Sequence, residues 1–374
     1  MRFLQIHTFY EQYLKNLYTR NPVLKNESFL DQTSYLIHDG FSGGHIFPPY
    51  MQKLGYDAQL IVANNQIAQA RWLAEQRISL QNPQQWFFEI VRHQIEQFKP
   101  DVLYFGDPIS FDRKFIDWLS WKPKLIMAWR AAPIPQTTDW SHLDVLLSSA
   151  SVCLDVAPKL GAKNCEYFYP GFPRSVETAT QDQSIEWDVV FAGQWSNLHH
   201  RRNSYLQAVA KAPLQGQGDF SIGYFLASNP VSLPAGVAMH NQGARWGLEM
   251  YRSLRSGKIC LNAAIDMANV EAPNMRIFEA AGVGSFLLNE AQSKLSNYFE
   301  LGSEIETFSS EAELIEKINY YLDNPEERNA IAARAKTRCL QEYSMENRSL
   351  SLNEIISSYD ASSQRNKFKS CVVF

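Results

Sequence analysis

Short apolar runs recur along the chain and alternate with longer segments whose apolar positions fall three and four apart. In the first half, residues 3–9, 58–62, 102–105, 124–128 and 145–148 read as strands. Between them, Phe87, Ile90, Val91, Ile95 and Phe98 place one apolar face on a helix over 83–98, which Lys99-Pro-Asp ends. A further helix is expected near 111–119. Residues 10–34 are polar and irregular. Ser34–His38 then reads as a short strand, Asp39–Gly44 as a turn, and 45–54 as a helix closed by Gly55.

The alternation pauses at Tyr167–Arg174 and the polar stretch Glu177–Glu186. It restarts with Trp187–Ala192, a buried strand ending at Gly193. Strands at Phe220–Phe225, Lys258–Asn262 and Ser285–Leu288 follow, interleaved with helices at 201–211, 247–255 and 274–281. Helices at 311–322, from Asn324-Pro through 342, and at 345–359 complete the pattern. Strands alternating with helices predict an α/β protein with parallel sheets and right-handed crossovers. The chain therefore divides into two doubly wound, Rossmann-like domains, 1–172 and 187–344, with a linker over 173–186 and a cleft between them. The helix 345–359 is placed to cross back onto the first domain, and 360–374 is a polar tail.

Composition narrows the function. The chain has 374 residues, 45% hydrophobic and 20% charged, which suits a packed core. A net charge of −4 argues against binding driven by nucleic-acid phosphates. The nine Trp suit both a core and the stacking of sugars. Five cysteines, an odd number with no CxxC pair, fit a reducing compartment. No segment approaches the roughly 20 apolar residues of a membrane span, and residues 1–7 lack a signal-peptide core. The expected location is the cytoplasm, with peripheral membrane contact left open. Cys371-Val-Val-Phe374 matches a loose prenylation pattern, but reads more simply as a polar tail.

Ligands of doubly wound sheets bind beyond the carboxyl ends of the strands, and three segments should meet there. In Asp39–His45, Gly43 and Gly44 let backbone N–H groups approach a phosphate, and His45 could touch a reacting sugar. The same stretch contains Gly40-Phe-Ser42-Gly-Gly44, a G-x-S-x-G match whose expected strand–turn–helix setting would make Ser42 a hydrolase nucleophile, although only one or two strands precede it where such an elbow normally follows several. In the second segment Gly193 ends a strand, and Arg201 and Arg202 open the next helix. Paired guanidinium donors there fit a diphosphate. The third runs from Glu271 to Glu279. Pro273 fits a first helical turn, and Asn274, Met275 and Arg276 would present the helix start to phosphate. Glu279 would accept bonds from a ribose diol, and Glu271 would face the sugar. Lys258 adds charge beside a strand. His199-His200 makes no metal site, and no G-x-G-x-x-G, Walker loop, H-E-x-x-H or Asp-x-Asp occurs.

Phe191-Ala-Gly193, Tyr251–Asn262, Asn274–Leu288, Tyr169-Pro-Gly-Phe-Pro and Asn324-Pro-Glu-Glu-Arg together resemble the GT-B glycosyltransferases. The likeness is to the bacterial CgeB-like and family 1-type transferases in particular, and is strongest over 187–343. It implies a nucleoside diphosphate sugar in the C-terminal domain and a glycan, lipid-linked or protein acceptor in the N-terminal domain. Glu279 matches the family's ribose-binding glutamate, and Glu271 the sugar-facing glutamate of the retaining branch, although Ala272-Pro273 departs from that pattern. Gln194 stands where the family often has Arg, so Arg201 or Arg202 would supply the charge. The expected reaction is a metal-independent, retaining glycosyl transfer without a cofactor. Under inversion, His45 or Asp39 would be the base. The acceptor side is assigned to 10–34 and to the Trp-rich 118–140. A non-catalytic sugar- or nucleotide-binding protein, a sugar epimerase and the Ser42 hydrolase are the competing readings.

Overall fold

The computed structural model describes residues 1–197, 199–228, 233–264 and 274–370, with side chains described through residue 359. Two compact units emerge. The first comprises Met1–His38, His45–Tyr169 and Met345–Phe374; the second comprises Asp39–Gly44 and Pro170–Ser344.

In the first unit, β1 (Arg2–His7), β2 (Asp57–Val62), β3 (Val102–Phe105), β4 (Leu125–Trp129), β5 (Val145–Ser148) and β6 (Cys165–Tyr167) form a sheet in the order β2-β1-β3-β4-β5-β6. All pairings are parallel. Such a sheet is covered on both faces, so its strands are apolar almost throughout. Leu4, Ile6, Leu103 and Phe105 pack with Val91 and Ile95 on one face. Phe3, Tyr104 and Met127 pack with Phe47, Met51, Leu352 and Ile356 on the other. The helix Met345–Ser370 thus covers a sheet made much earlier in the chain. Burial of Leu352 and Ile356 contributes about 1.5–3 kcal/mol each.

In the second unit, β7 (Trp187–Gln194), β8 (Ile222–Ala227), β9 (Gly257–Asn262), β10 (Phe286–Glu290) and β11 (Glu306–Phe308) order as β11-β10-β9-β7-β8, again all parallel. In each sheet the winding reverses beside the first strand, between β1 and β3 and between β7 and β9. These are the points where a crevice opens at the carboxyl edge.

Several expected elements change. Ser34–His38 is not a strand but the end of a helix, Phe29–Asp39. Ser28 and Asp31 cap its start, with Ser28 Oγ donating to the Asp31 carboxylate (2.6 Å) and Asp31 N–H to Ser28 Oγ (3.1 Å). Gln32 and Leu36, four apart, are buried. The irregular stretch before it contains the helix Glu11–Arg20, which buries Tyr13, Leu14, Leu17 and Tyr18. The helix expected over 45–54 divides into a tight turn at Gly43–His45 and a helix at Pro48–Lys53. The stretch 173–186 contains a packed helix, Arg174–Thr180, with Val176 and Thr180 buried and Glu177 paired to Lys336 at 2.6 Å. Among the described residues, no helix is long and apolar enough to cross a membrane.

Candidate functional site

The carboxyl edge of the second unit's sheet gathers most of the sequence-predicted donor residues. β7 ends at Gly193 and Gln194, and the helix His200–Lys211 follows. Arg202 is buried on that helix and donates to the Gln194 carbonyl at 2.5 Å. Its guanidinium also lies 5.8 Å from the Phe191 ring centre. Arg201 points its charge at the buried Glu290, 3.3 Å away. The same Glu290 accepts the Ala264 N–H at 3.1 Å. Two arginines in the first turn of a helix oppose its dipole, and Glu290 offsets one of them. Arg201 therefore has a structural partner in addition to any ligand.

Across the switch point, β9 ends at Asn262. The Asn262 amide donates to Asn289 at 2.6 Å and to Asn274 at 3.0 Å, and Asn274 donates back at 3.2 Å. Asn274 has the extended backbone of an N-cap to the helix Met275–Val283, yet its side chain makes no capping bond. Among the described residues, no side chain caps the start of that helix.

One turn on, Glu279 is 6% exposed. One carboxylate oxygen accepts from Arg276 at 2.6 Å, and the other from the Tyr251 hydroxyl at 3.3 Å. Tyr251, fully buried, belongs to the helix Leu248–Arg255, and its hydroxyl also lies 3.4 Å from the Gly40 carbonyl.

The segment Asp39–Gly44 thus belongs to the second unit, although the sequence placed it in the first domain. It fits so closely that side chains have no room. A Cβ on Gly44 would lie 2.4 Å from the Gly171 carbonyl oxygen and 3.4 Å from Met275 Cε. Gly171 N–H donates to the Gly44 carbonyl at 3.1 Å. The Gly43 N–H is used within the turn, donating to the Gly40 carbonyl at 2.9 Å. Asp39 is buried against the turn at Gly247, whose φ of +57° and close approach leave no space for a side chain. Phe41 meets Trp246 edge to face, with ring centres 5.8 Å apart.

Three expectations are corrected. Ser42 follows a helix rather than a strand, so the strand–turn–helix setting of a nucleophile elbow is missing. Lys258 lies at the start of β9, the edge opposite the ligand crevice, where it pairs with Asp188 at 2.7 Å. Of the two alternative acceptor-side bases, Asp39 falls in the second unit, packed at Gly247, whereas His45 lies in the first. Glu271 lies outside the described residues, as does the Cys371–Phe374 tail. Among the described residues, no three His, Cys, Asp or Glu side chains gather as metal ligands would.

The first unit has its own cluster at the β1/β3 switch point. His7 ends β1, and its Nδ1 accepts the Thr8 N–H at 3.0 Å. Burial lowers its pKa to about 4 against the pull of Asp107. A neutral ring accepting at Nδ1 carries its proton on Nε2, so His7 is a hydrogen-bond donor there. Its ring lies against Gly106, where a Cβ would come within 2.6 Å of Nδ1. Asp107 accepts from Thr8 Oγ1 (3.0 Å) and Ser110 Oγ (2.8 Å). His45, lowered to about 3 by burial and by His7, packs its ring 4.7 Å from Trp129 at the end of β4. Its carbonyl is held by the buried Gln5. His7, Asp107 and Tyr251 were missed as site residues. The signal for the first two was their position at the ends of β1 and β3.

Of the Trp-rich segment, Trp129 ends β4 at this edge. Trp140 is buried and donates to the Pro108 carbonyl, while Trp118 and Trp121 precede β4 and so lie toward the other edge.

Residues 194–354 match the family model described as glycosyl transferase-like. No curated protein matches the chain in sequence. Solved structures share its fold along nearly its whole length. HepE from Anabaena, determined with UDP-glucose, is 11% identical with a TM-score of 0.59, covering 96% of this chain and 100% of that one. A glycosyltransferase from Rickettsia africae is 10% identical with a TM-score of 0.56, covering 96% and 98%. Sucrose-phosphate synthase from Thermosynechococcus elongatus is 9% identical with a TM-score of 0.54, covering 96% and 100%. Residues 194–354 are therefore glycosyl transferase-like in sequence, on a chain that has the fold of GT-B glycosyltransferases.

Proposed function

We propose that this protein is an enzyme that transfers a glycosyl group from a nucleoside diphosphate sugar, with UDP as the nucleotide, to a hydroxyl of a glycan, lipid-linked or protein acceptor. The observation that carries the reading is the group at the β7/β9 switch point. The start of the helix Met275–Val283, which no described side chain caps, the buried Glu279 and Arg202 at Gln194 lie at the carboxyl edge of one sheet. HepE, which shares the fold, was determined with UDP-glucose.

As the glycosidic bond to phosphate breaks, negative charge builds on the departing diphosphate. The helix start and Arg202 would stabilise that charge without a metal ion, because preorganised donors gain most where charge develops. Glu279 would accept from the ribose hydroxyls. The first unit's His7 Nε2–H, His45, Asp107 and the Trp129 face would bind the acceptor. Retention follows from a sugar-facing role for Glu271, eight positions before Glu279.

The test is thermal unfolding with a panel of nucleoside diphosphates and their sugars, followed by donor turnover. Ligand at 100 times its Kd stabilises by about 2.7 kcal/mol, a rise of several degrees. Arg202→Ala and Glu279→Ala should abolish both the shift and donor hydrolysis. No shift with any of them overturns the reading. A shift with UDP but turnover of no donor would make the chain a nucleotide-binding protein instead.

A further inference from the structure

Glu279 is held by two groups of different character. Arg276, three residues earlier on the same helix, forms an ion pair with one oxygen at 2.6 Å. The Tyr251 hydroxyl reaches the other oxygen from a separate helix, at 3.3 Å. That hydroxyl has one proton and two acceptors within reach, because the Gly40 carbonyl lies 3.4 Å away. It can serve Glu279 or Gly40 well, but not both at once.

We infer that Tyr251 is the positioning residue that sets Glu279 for a ribose diol, by donating its one proton to the carboxylate. This inference rests on the proposed donor site. With no nucleotide, the hydroxyl helps to hold the carboxylate. When a ribose hydroxyl donates to Glu279, the carboxylate oxygens each have a second lone pair to receive it, so the Tyr251 bond and the aim it sets persist in the complex. The surroundings support a fixed hydroxyl rather than a loose one. Tyr251 is fully buried, its ring meets Phe172 edge to face at 6.2 Å, and a Cβ on Gly43 would come within 3.7 Å of its oxygen.

The test compares UDP with 2′-deoxy-UDP by calorimetry, on the full chain, for the wild type, Tyr251→Phe and Glu279→Gln. Each variant serves as its own reference, so a general loss of stability cancels from the ratio of the two affinities. A hydroxyl donating to a carboxylate is worth enough to give the wild type about a tenfold preference for UDP. Glu279→Gln should bring that preference close to one. Tyr251→Phe should lower it to about twofold, with UDP itself weakened and deoxy-UDP little changed, as expected when only the aim of the carboxylate is lost. A Tyr251→Phe ratio equal to that of the wild type overturns the inference while leaving the role of Glu279 intact. A wild type that does not discriminate, or that binds neither nucleotide, overturns the role of Glu279 and with it this inference.

Discussion

Replacing Gly44 by alanine tests the packing of the Asp39–Gly44 turn. The new Cβ would sit 2.4 Å from the Gly171 carbonyl oxygen, nearly an ångström inside ordinary contact. The clash is with backbone, so no side-chain rotation relieves it. The same two residues are joined by the bond from Gly171 N–H to the Gly44 carbonyl at 3.1 Å, and moving them apart weakens it. Overpacking costs about 1–3 kcal/mol and a lost backbone bond about 1 kcal/mol, so the variant should lose about 2–4 kcal/mol. For a unit of this size that corresponds to a fall in Tm of roughly 4–16 °C. Differential scanning calorimetry measures it. The weakening should reach UDP binding too, because Met275 Cε lies 3.4 Å from the same added carbon. A variant that melts within about 1 °C of the wild type would refute the packing argument.

Lys258→Ala should leave UDP affinity within about twofold, because Lys258 sits on the edge of the sheet opposite the proposed donor site; a tenfold loss would place it in the site after all. The histidines predict acid sensitivity. His7, His45 and His142 titrate near 6.5 when unfolded, but burial lowers them to about 4, 3 and 4 in the fold. Below pH 6.5 the unfolded chain takes up protons that the native state refuses, so stability is full above that pH and falls as the pH drops toward 4. The unfolding free energy from urea titration should decline from pH 7 to 5, by at most about 1.4 kcal/mol per pH unit for each histidine, lowering the midpoint, and His45→Gln should flatten the slope. A midpoint constant over that range would reject the assignment.

The sequence made some elements legible and hid others, for definable reasons. Trp187–Gln194 was readable because a buried parallel strand is a continuous apolar run closed here by Gly193. Ser34–His38 was misread because Tyr35-Leu36-Ile37 has local strand preference, while the helix is set by a cap at Ser28 and by burial of Gln32. That burial is tolerable because Tyr18 donates to the Gln32 amide oxygen at 2.6 Å and the Gln32 amide donates to the Glu27 carbonyl at 3.0 Å, contacts no local apolar pattern shows. Glu279 could be found from its helix and following glycines, but its link to Tyr251 spans 28 residues and its link onward to Gly40 spans 211. Lys258 is different, since a residue opening a parallel strand must lie away from the carboxyl edge, and the sequence already carried that information.

The helix Met345–Ser370 has a consequence for synthesis. It follows every strand in chain order, yet Leu352 and Ile356 help cover one face of a sheet finished at Tyr167. At about 5–20 residues per second, a ribosome needs roughly 10–35 s to pass from β6 to this helix. Throughout that interval Phe3, Tyr104 and Met127 lie on a face that still lacks one of its covers. The N-terminal sheet therefore cannot complete its folding first and wait. It stays open to chaperones, and to aggregation, until nearly the last part of its own unit has emerged.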